Sequence, residues 1–314
     1  MKKIIIGIGT CYRPRMLVEC LDSVQRIDIP NDSEIEIIVA DNAPEKNSKD
    51  LITPYSKARI TSHYIVADEK GIASMRNKII EKALKLNADY LTFIDDDEVV
   101  NKDWLVEHVK AFTTFNADVV TGYTQRILPQ NIEPWLVEGK FFVKFDSGYT
   151  GELRKTSSTS NVFFDLKKLC IDFSLRFDKR LNFIGSSDLL FFNQAYNEGA
   201  KIIKCKEAIV KEVIPESRAT SAWLLQRSYR RGNTMVARSF IQKGKVKTYF
   251  SHSLKAIREY FIYITRKLKI YTYSKDKRIH NLKTKRHLEV TRGIWNALYG
   301  KSIYEEYKKQ QHGH

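Results

Sequence analysis

Apolar runs and helical periods alternate along the first hundred residues. Lys3 to Thr10 is almost unbroken isoleucine and glycine, the pattern of a strand buried on both faces. Glu34 to Ala40 is a second such run, Arg59 to Val66 a weaker third, and Tyr90 to Ile94 a fourth. Between them the chain turns at Arg13-Pro14 into a helix reaching about Arg26. A second helix is expected over Gly71 to Leu86, with Ile72, Met75, Ile79, Ile80 and Ala83 along one side. This alternation predicts a mainly parallel α/β sheet.

Three of the four strands end in polar residues: Thr10, Asp41-Asn42, and the run Asp95-Asp96-Asp97-Glu98. Parallel strands bring such ends to one edge, where open α/β sheets bind ligands, so the three groups are expected to share a cleft. Adjacent carboxylates repel one another and call for a cation or a donor-rich ligand. In extended backbone Asp95 and Asp97 face one side and Asp96 the other. Hard oxygen donors in that arrangement suit Mg²⁺ or Mn²⁺ shared with substrate phosphates. The plain alternative is a solvated acidic turn before a helix.

Beyond the acids the pattern predicts a helix over Lys102 to Phe115 and a strand near Ala117 to Thr124. Aromatic, strand-like pieces follow at Trp135 to Phe145 and Asn161 to Asp165, around a loop at Thr150 to Ser160. Ser186 or Ser187 is expected to cap a helix running to about Glu198, which sets Asp188 in its first turn. From Arg218 the chain reads as helical. Leu254, Ile257, Phe261, Ile264 and Leu268 form an apolar stripe, and a last helix is expected around Leu288 to Tyr307.

Charge divides the chain at the same place. The net charge is +16, yet residues 218–314 hold 23 Lys and Arg against 5 Asp and Glu, leaving the first 217 residues near neutral. The expected organisation is therefore an α/β domain over 1–217 and a basic, amphipathic helical extension over 218–314. Such asymmetry points to a polyanionic surface as partner. Four scattered cysteines form no zinc pattern and are expected to be reduced thiols. The N-terminal apolar run is too short for a signal peptide, and no uncharged run is long enough to cross a bilayer. The first turn lacks Gly-x-Gly-x-x-Gly and the chain lacks a Walker lysine loop, which argues against dinucleotide dehydrogenases and P-loop enzymes.

Six motifs in order carry a resemblance. They are Gly9-Thr10-Cys11-Tyr12-Arg13-Pro14, Val39-Ala40-Asp41-Asn42, Gly71-Ile72-Ala73-Ser74-Met75-Arg76-Asn77, Phe93-Ile94-Asp95-Asp96-Asp97-Glu98, Gly185-Ser186-Ser187-Asp188, and Arg218 with Trp223, Arg227 and Arg230-Arg231-Gly232. Together they resemble glycosyltransferase family 2, inverting enzymes of GT-A fold, and within it the bacterial exopolysaccharide transferases of succinoglycan glucosyltransferase type. The resemblance implies that Asp97, with Asp95, holds a divalent metal on a nucleotide-sugar diphosphate. It implies nucleotide-sugar contacts from Thr10, Arg13, Asp41, Arg76, Asn77, Asp95 and Asp96. It implies a later acid as base, and Asp188 is the candidate, although many relatives carry Glu-Asp where this chain has two serines before a single Asp. Arg227, Arg230 and Arg231 share a helix face and are candidates for closing over diphosphate or acceptor.

The expected reaction moves a sugar from a nucleotide sugar, with UDP the family-wide favourite, to a glycan or polyprenyl-diphosphate-linked acceptor in surface polysaccharide biosynthesis. The expected location is cytoplasmic, at the inner face of the membrane, held by the basic helices on an anionic surface. A nucleotidyltransferase shares such a sheet, but its usual glycine-rich, lysine-containing stretch near the N-terminus is missing. A basic nucleic-acid-binding protein is the non-enzymatic alternative, made less apt by a continuous apolar stripe. The same stripe could instead pack on the domain or pair two subunits as a homodimer.

Overall fold

The computed structural model describes residues 1–43, 48–142, 148–269 and 276–300. The chain divides into two compact units. The first comprises 1–125 and 147–212, and it is built on a mixed sheet. Strands β1 (Lys2–Thr10), β2 (Ser33–Asp41), β3 (Thr61–Val66) and β4 (Tyr90–Asp95) are its parallel half. Helices α1 (Pro14–Gln25), α2 (Lys49–Ile52) and α3 (Ile72–Lys85) intervene, and α4 (Trp104–Thr114) follows the short strand β5 (Glu98–Val100).

The second half of the sheet departs from the parallel expectation. The strand order is β3-β2-β1-β4-β8-β6-β9-β5, where β6 is Val119–Ile127, β8 is Asn161–Asp165 and β9 is Ile202–Val213; β7 (Leu153–Arg154) pairs with β9 outside that order. β8 runs antiparallel to β4 and to β6, and β5 antiparallel to β9. Helix α6 (Ser187–Asn197) lies between β8 and β9 in the chain.

Alternating side chains of the buried strands fill a core on each face of this sheet. Ile4, Ile6 and Ile8 of β1 and Ile37 and Val39 of β2 pack with Leu17, Leu21 and Val24 of α1 and Trp104 of α4. Ile5, Ile38 and Ala40 point the other way, to Ile79, Ile80 and Ala83 of α3 and Phe191 and Phe192 of α6. Each fully buried isoleucine or phenylalanine contributes about 1.5–3 kcal/mol. Gly9 leaves room for the end of the Met75 side chain of α3, whose sulfur would lie 2.8 Å from a Cβ there.

The second unit comprises 126–146 and 213–306. Its boundary falls at 212/213, and it recruits a segment that the sequence pattern assigns to the α/β domain. In that segment, Trp135 and Leu136 sit in the short helix α5 (Pro134–Glu138) where a strand was expected; Pro134 occupies the first turn, a position that suits its missing N–H. Residues 143–145 of the expected strand lie outside the described residues. Helix α7 (Ser221–Leu268) is interrupted at Gly244, whose φ of 74° and ψ of 175° suit a residue without Cβ. The chain reverses there: Thr248 donates to the Ser239 hydroxyl at 3.1 Å, and Phe240 meets the Tyr249 ring at 5.5 Å. Helix α8 (Lys277–Tyr299) begins about ten residues earlier than expected, and residues 301–307 lie outside the described residues.

The apolar stripe of α7 faces outward. Leu254, Ile257, Phe261 and Leu268 are 54%, 58%, 67% and 71% exposed, while Thr248, His252 and Ala256 are buried. Small and polar side chains allow close approach at this seam, as where Thr291 of α8 reaches the Ala256 carbonyl, beside a buried apolar cluster of Val236, Ala256, Ile294, Ala297 and Leu298.

Candidate active site

The register of the parallel strands brings the polar ends into one row. Gly9 pairs with Ala40 on one side and Asp95 on the other, and Thr10 pairs with Asp41. Past β4 the alternation of the acids persists: Asp96 and Glu98 are buried, while Asp95 and Asp97 are half-buried on the other side. The Asp96 carboxylate accepts from the Thr10 hydroxyl at 2.8 Å and from Arg13 Nη1 at 2.9 Å, and the same Nη1 reaches Asp97 at 2.9 Å. Glu98 turns back to accept the Asp95 amide at 3.1 Å.

Asp96 is engaged on both oxygens, by Thr10 and Arg13, and so braces the turn. Thr10 and Arg13 point at the acids, where they fix the turn that presents Asp95 and Asp97. Burial, the Asp97 charge and the Asp96 charge push the Asp95 carboxyl up to about 7, against the opposing pull of Arg76 and Arg13. Burial likewise pushes Asp96 up to about 6 despite Arg13, and raises Glu98 well above the carboxylate range.

A second group of contacts ties α3 to the segment that enters α6. Asn182 accepts the Ser74 amide at 2.9 Å and donates to the Ser74 hydroxyl at 2.8 Å, and its carbonyl accepts the Ile72 amide. Gly71 precedes α3 with φ of 121° and has no side chain to cap the helix, so Asn182 does so from 108 residues away. A Cβ on Gly71 would lie 2.3 Å from the Asn182 side chain. Asn77 exchanges two hydrogen bonds with the backbone of Phe177, at 2.9 and 2.8 Å. Its amide thereby positions this segment against α3.

Arg76 is buried, lies over the Phe177 ring, donates to the Ser187 hydroxyl at 3.2 Å and opposes the raised affinity of Asp95 for its proton. Its hydrogen bond thereby ties α3 to the start of α6. Ser186 precedes that helix in left-handed conformation, φ 67°, with no side-chain cap, and Asp188 in the first turn accepts the Leu189 amide at 2.8 Å. Asp41 is fully buried and accepts the amides of Ala43 and Ser48 and the Tyr64 hydroxyl, so its carboxylate closes the loop after β2. Asn42 continues that bracing, accepting the Gly71 amide. Trp104 is fully buried and donates to Asn161 at 2.8 Å. Arg227, Arg230 and Arg231 lie in the helical unit, on α7, with Arg227 over the Trp223 ring.

Residues 5–173 match the family model described as glycosyl transferase family 2. The chain belongs to that family, and its fold is the GT-A fold of nucleotide-diphospho-sugar transferases. It is 30% identical over 231 residues to the succinoglycan biosynthesis protein ExoM of Rhizobium meliloti, covering 73% of each chain. Among solved structures, the mannosyltransferase PcManGT from Pyrobaculum calidifontis in complex with GDP-Man and Mn²⁺ is similar with a TM-score of 0.63 at 15% identity, covering 95% of this chain and 88% of that one. S. aureus TarS 1-349 in complex with UDP-GlcNAc gives 0.52 at 14% identity, covering 97% and 93%.

Proposed function

We propose that the chain is an inverting, metal-dependent hexosyltransferase that moves a sugar from a nucleotide-sugar donor, a UDP-sugar by preference, to a hydroxyl of a glycan or polyprenyl-diphosphate-linked acceptor in surface polysaccharide biosynthesis. One observation carries the reading. Strand register sets Asp95 beside the ends of β1 and β2, and the turn braced by Thr10 and Arg13 leaves Asp95 and Asp97 partly accessible on one side, where a cation shared with a diphosphate would be held.

The donor set fits a divalent cation. Among the described residues no three or more His, Cys, Asp or Glu form a closed cage. Two hard carboxylates, Asp95 and Asp97, completed by substrate oxygens and water, are what Mg²⁺ or Mn²⁺ ordinarily uses. The proton that Asp95 retains toward neutrality marks negative charge that the cluster's own cations leave unbalanced. When bound there, the cation supplies positive charge to the departing nucleoside diphosphate. Thr10 and Arg13 hold the turn, Glu98 holds the Asp95 amide, and Arg76 sets the first turn of α6 against that frame. Asp188 takes the proton of the attacking acceptor hydroxyl, and a single displacement inverts the anomeric centre.

Asp188→Asn is expected to lower turnover by at least about a hundredfold while donor affinity, read by calorimetry, stays within about threefold. Turnover near that of the unaltered enzyme would remove Asp188 as the base.

The acceptor side of the reading rests on the helical unit. Its outward stripe of Leu254, Ile257, Phe261 and Leu268 stands on a strongly basic segment, a combination suited to an anionic leaflet on the cytoplasmic side. No described helix is long and apolar enough to cross a membrane, so this attachment would be peripheral.

A further inference from the structure

The helical unit holds a half-open cavity of its own, with Arg231, Arg258 and Lys283 exposed at its mouth. Its volume is about 430 Å³, and it lies between the two arms of α7 and helix α8. Six cations line it: Arg231, Lys255, Arg258, Arg266, Lys283 and Arg286. A single acid, Glu259, faces them, and it is already paired with His287 at 2.6 Å and with Arg258 at 3.0 Å.

Such a lining is not that of an ordinary solvated helix face. Lys255, Arg266 and Arg286 are half-buried, and the buried Nε of Arg266 has no hydrogen-bond partner among the described residues. Arg286 is held in place by its bond to the Ser228 hydroxyl at 3.1 Å and by the Phe141 ring, 5.8 Å away. Burial and the neighbouring Arg231 and Arg258 charges lower the affinity of Lys255 for its proton, and burial with Arg231 does the same at Arg286. Like charges so placed are unfavourable unless an anion sits among them.

Charge and shape narrow the anion. Four of the six cations are arginines, whose planar forks match phosphate oxygens two at a time. An excess this large exceeds what one carboxylate balances, and the volume lies within the usual range for an organic ligand. We propose that this cavity binds the diphosphate group of an organic ligand, at a site separate from the carboxylates of the α/β unit. The proposal stands on the cavity alone and holds whatever sugar the α/β unit transfers.

The test titrates the full-length, metal-free chain with inorganic pyrophosphate by calorimetry, without donor, so its failure leaves the sugar-transfer reading untouched. Lys255→Met with Arg286→Gln is expected to weaken binding at least tenfold, and the rim variant Lys283→Gln by a smaller factor, with unchanged thermal melting confirming the fold. Lys247→Gln, an exposed charge on the same helix but outside the cavity, is expected to leave the affinity unaltered. Equal affinity in wild type and both cavity variants overturns the proposal, as does an equal loss in Lys247→Gln, which would mean diffuse attraction. Displacement of pyrophosphate by phosphatidylcholine vesicles carrying a polyprenyl diphosphate identifies a lipid headgroup as the source, whereas displacement by a soluble nucleoside diphosphate identifies a soluble one. Displacement by neither overturns the assignment to an organic ligand.

Discussion

Replacing Asn182 by alanine removes two hydrogen bonds at the start of α3, one from the Ser74 amide at 2.9 Å and one to the Ser74 hydroxyl at 2.8 Å. Ser74 is the third residue of that helix, and Gly71 offers no side chain to take over the cap. Loss of a cap costs about 1 kcal/mol, and a buried amide left without an acceptor costs about 1–3 kcal/mol. The two figures describe the same amide and overlap, so the expected loss is about 2 kcal/mol. Asn182→Asp keeps the acceptor and is expected to lose less than about 1 kcal/mol. Function should follow, because Asn182 holds the segment that delivers Asp188. Asn77 and Arg76 still hold that segment at Phe177 and Ser187, so the carboxylate is loosened and not released. A roughly tenfold fall in kcat with little change in donor KM is expected, since small misplacements of a reacting group are costly. Urea unfolding of wild type, Asn182→Ala and Asn182→Asp at one pH, with kcat on the same samples, gives both readouts. A stability change under about 0.5 kcal/mol in Asn182→Ala with unaltered kcat would refute the reasoning.

Two further predictions concern charge and surface. The folded chain holds the Asp95 proton up to about pH 7, whereas the ordinary carboxyl releases it near 3.8, so across that window the folded state binds more protons and stability falls as pH rises. The shift corresponds to a ceiling on the order of 4 kcal/mol, so the metal-free melting temperature of wild type should fall relative to Asp95→Asn between pH 5 and 8; parallel profiles would contradict the raised carboxyl. For the helical unit, Ile257→Ser with Phe261→Ser should reduce co-sedimentation with anionic vesicles severalfold while leaving the melting temperature in place, because both side chains are exposed. Undiminished vesicle binding, or a large loss of stability, would point away from a lipid-facing stripe.

Much of the parallel half of the sheet was legible because its signals are local. Continuous apolar strands, helical periods and acids at a strand end each lie within about ten residues, and the alternation of Asp95 and Asp97 against Asp96 and Glu98 follows from backbone geometry alone. What escaped depends on distant partners. Nothing near Asn182 announces that it caps a helix 108 residues earlier, and nothing near Asn77 announces its pairing with Phe177. The fully buried Asn161 is similar: it gathers Trp104 and His108 on one oxygen and the carbonyls of Tyr123 and Ala208 on its nitrogen, yet no local pattern marks it. β9 was missed because lysines and glutamates interrupt its apolar positions, although alternation around Ala208 and Val210 was there to find. The stripe on α7 is legible from its spacing and reads as surface-facing, with packing on the domain as the alternative; the buried seam of Thr248, His252 and Ala256 is not, because it is a weaker hydrophobic signal than the exposed face.

Donor binding with and without a divalent cation tests the central claim most directly. Full-length chain is titrated with UDP and with a panel of nucleotide sugars, in Mn²⁺ or Mg²⁺ and again in EDTA, for wild type and Asp97→Ala. The account predicts donor binding that weakens at least about tenfold when the cation is removed, and Asp97→Ala that binds equally weakly in both conditions. Wild-type affinity that is the same in EDTA, or Asp97→Ala that keeps its full response to Mn²⁺, would contradict it.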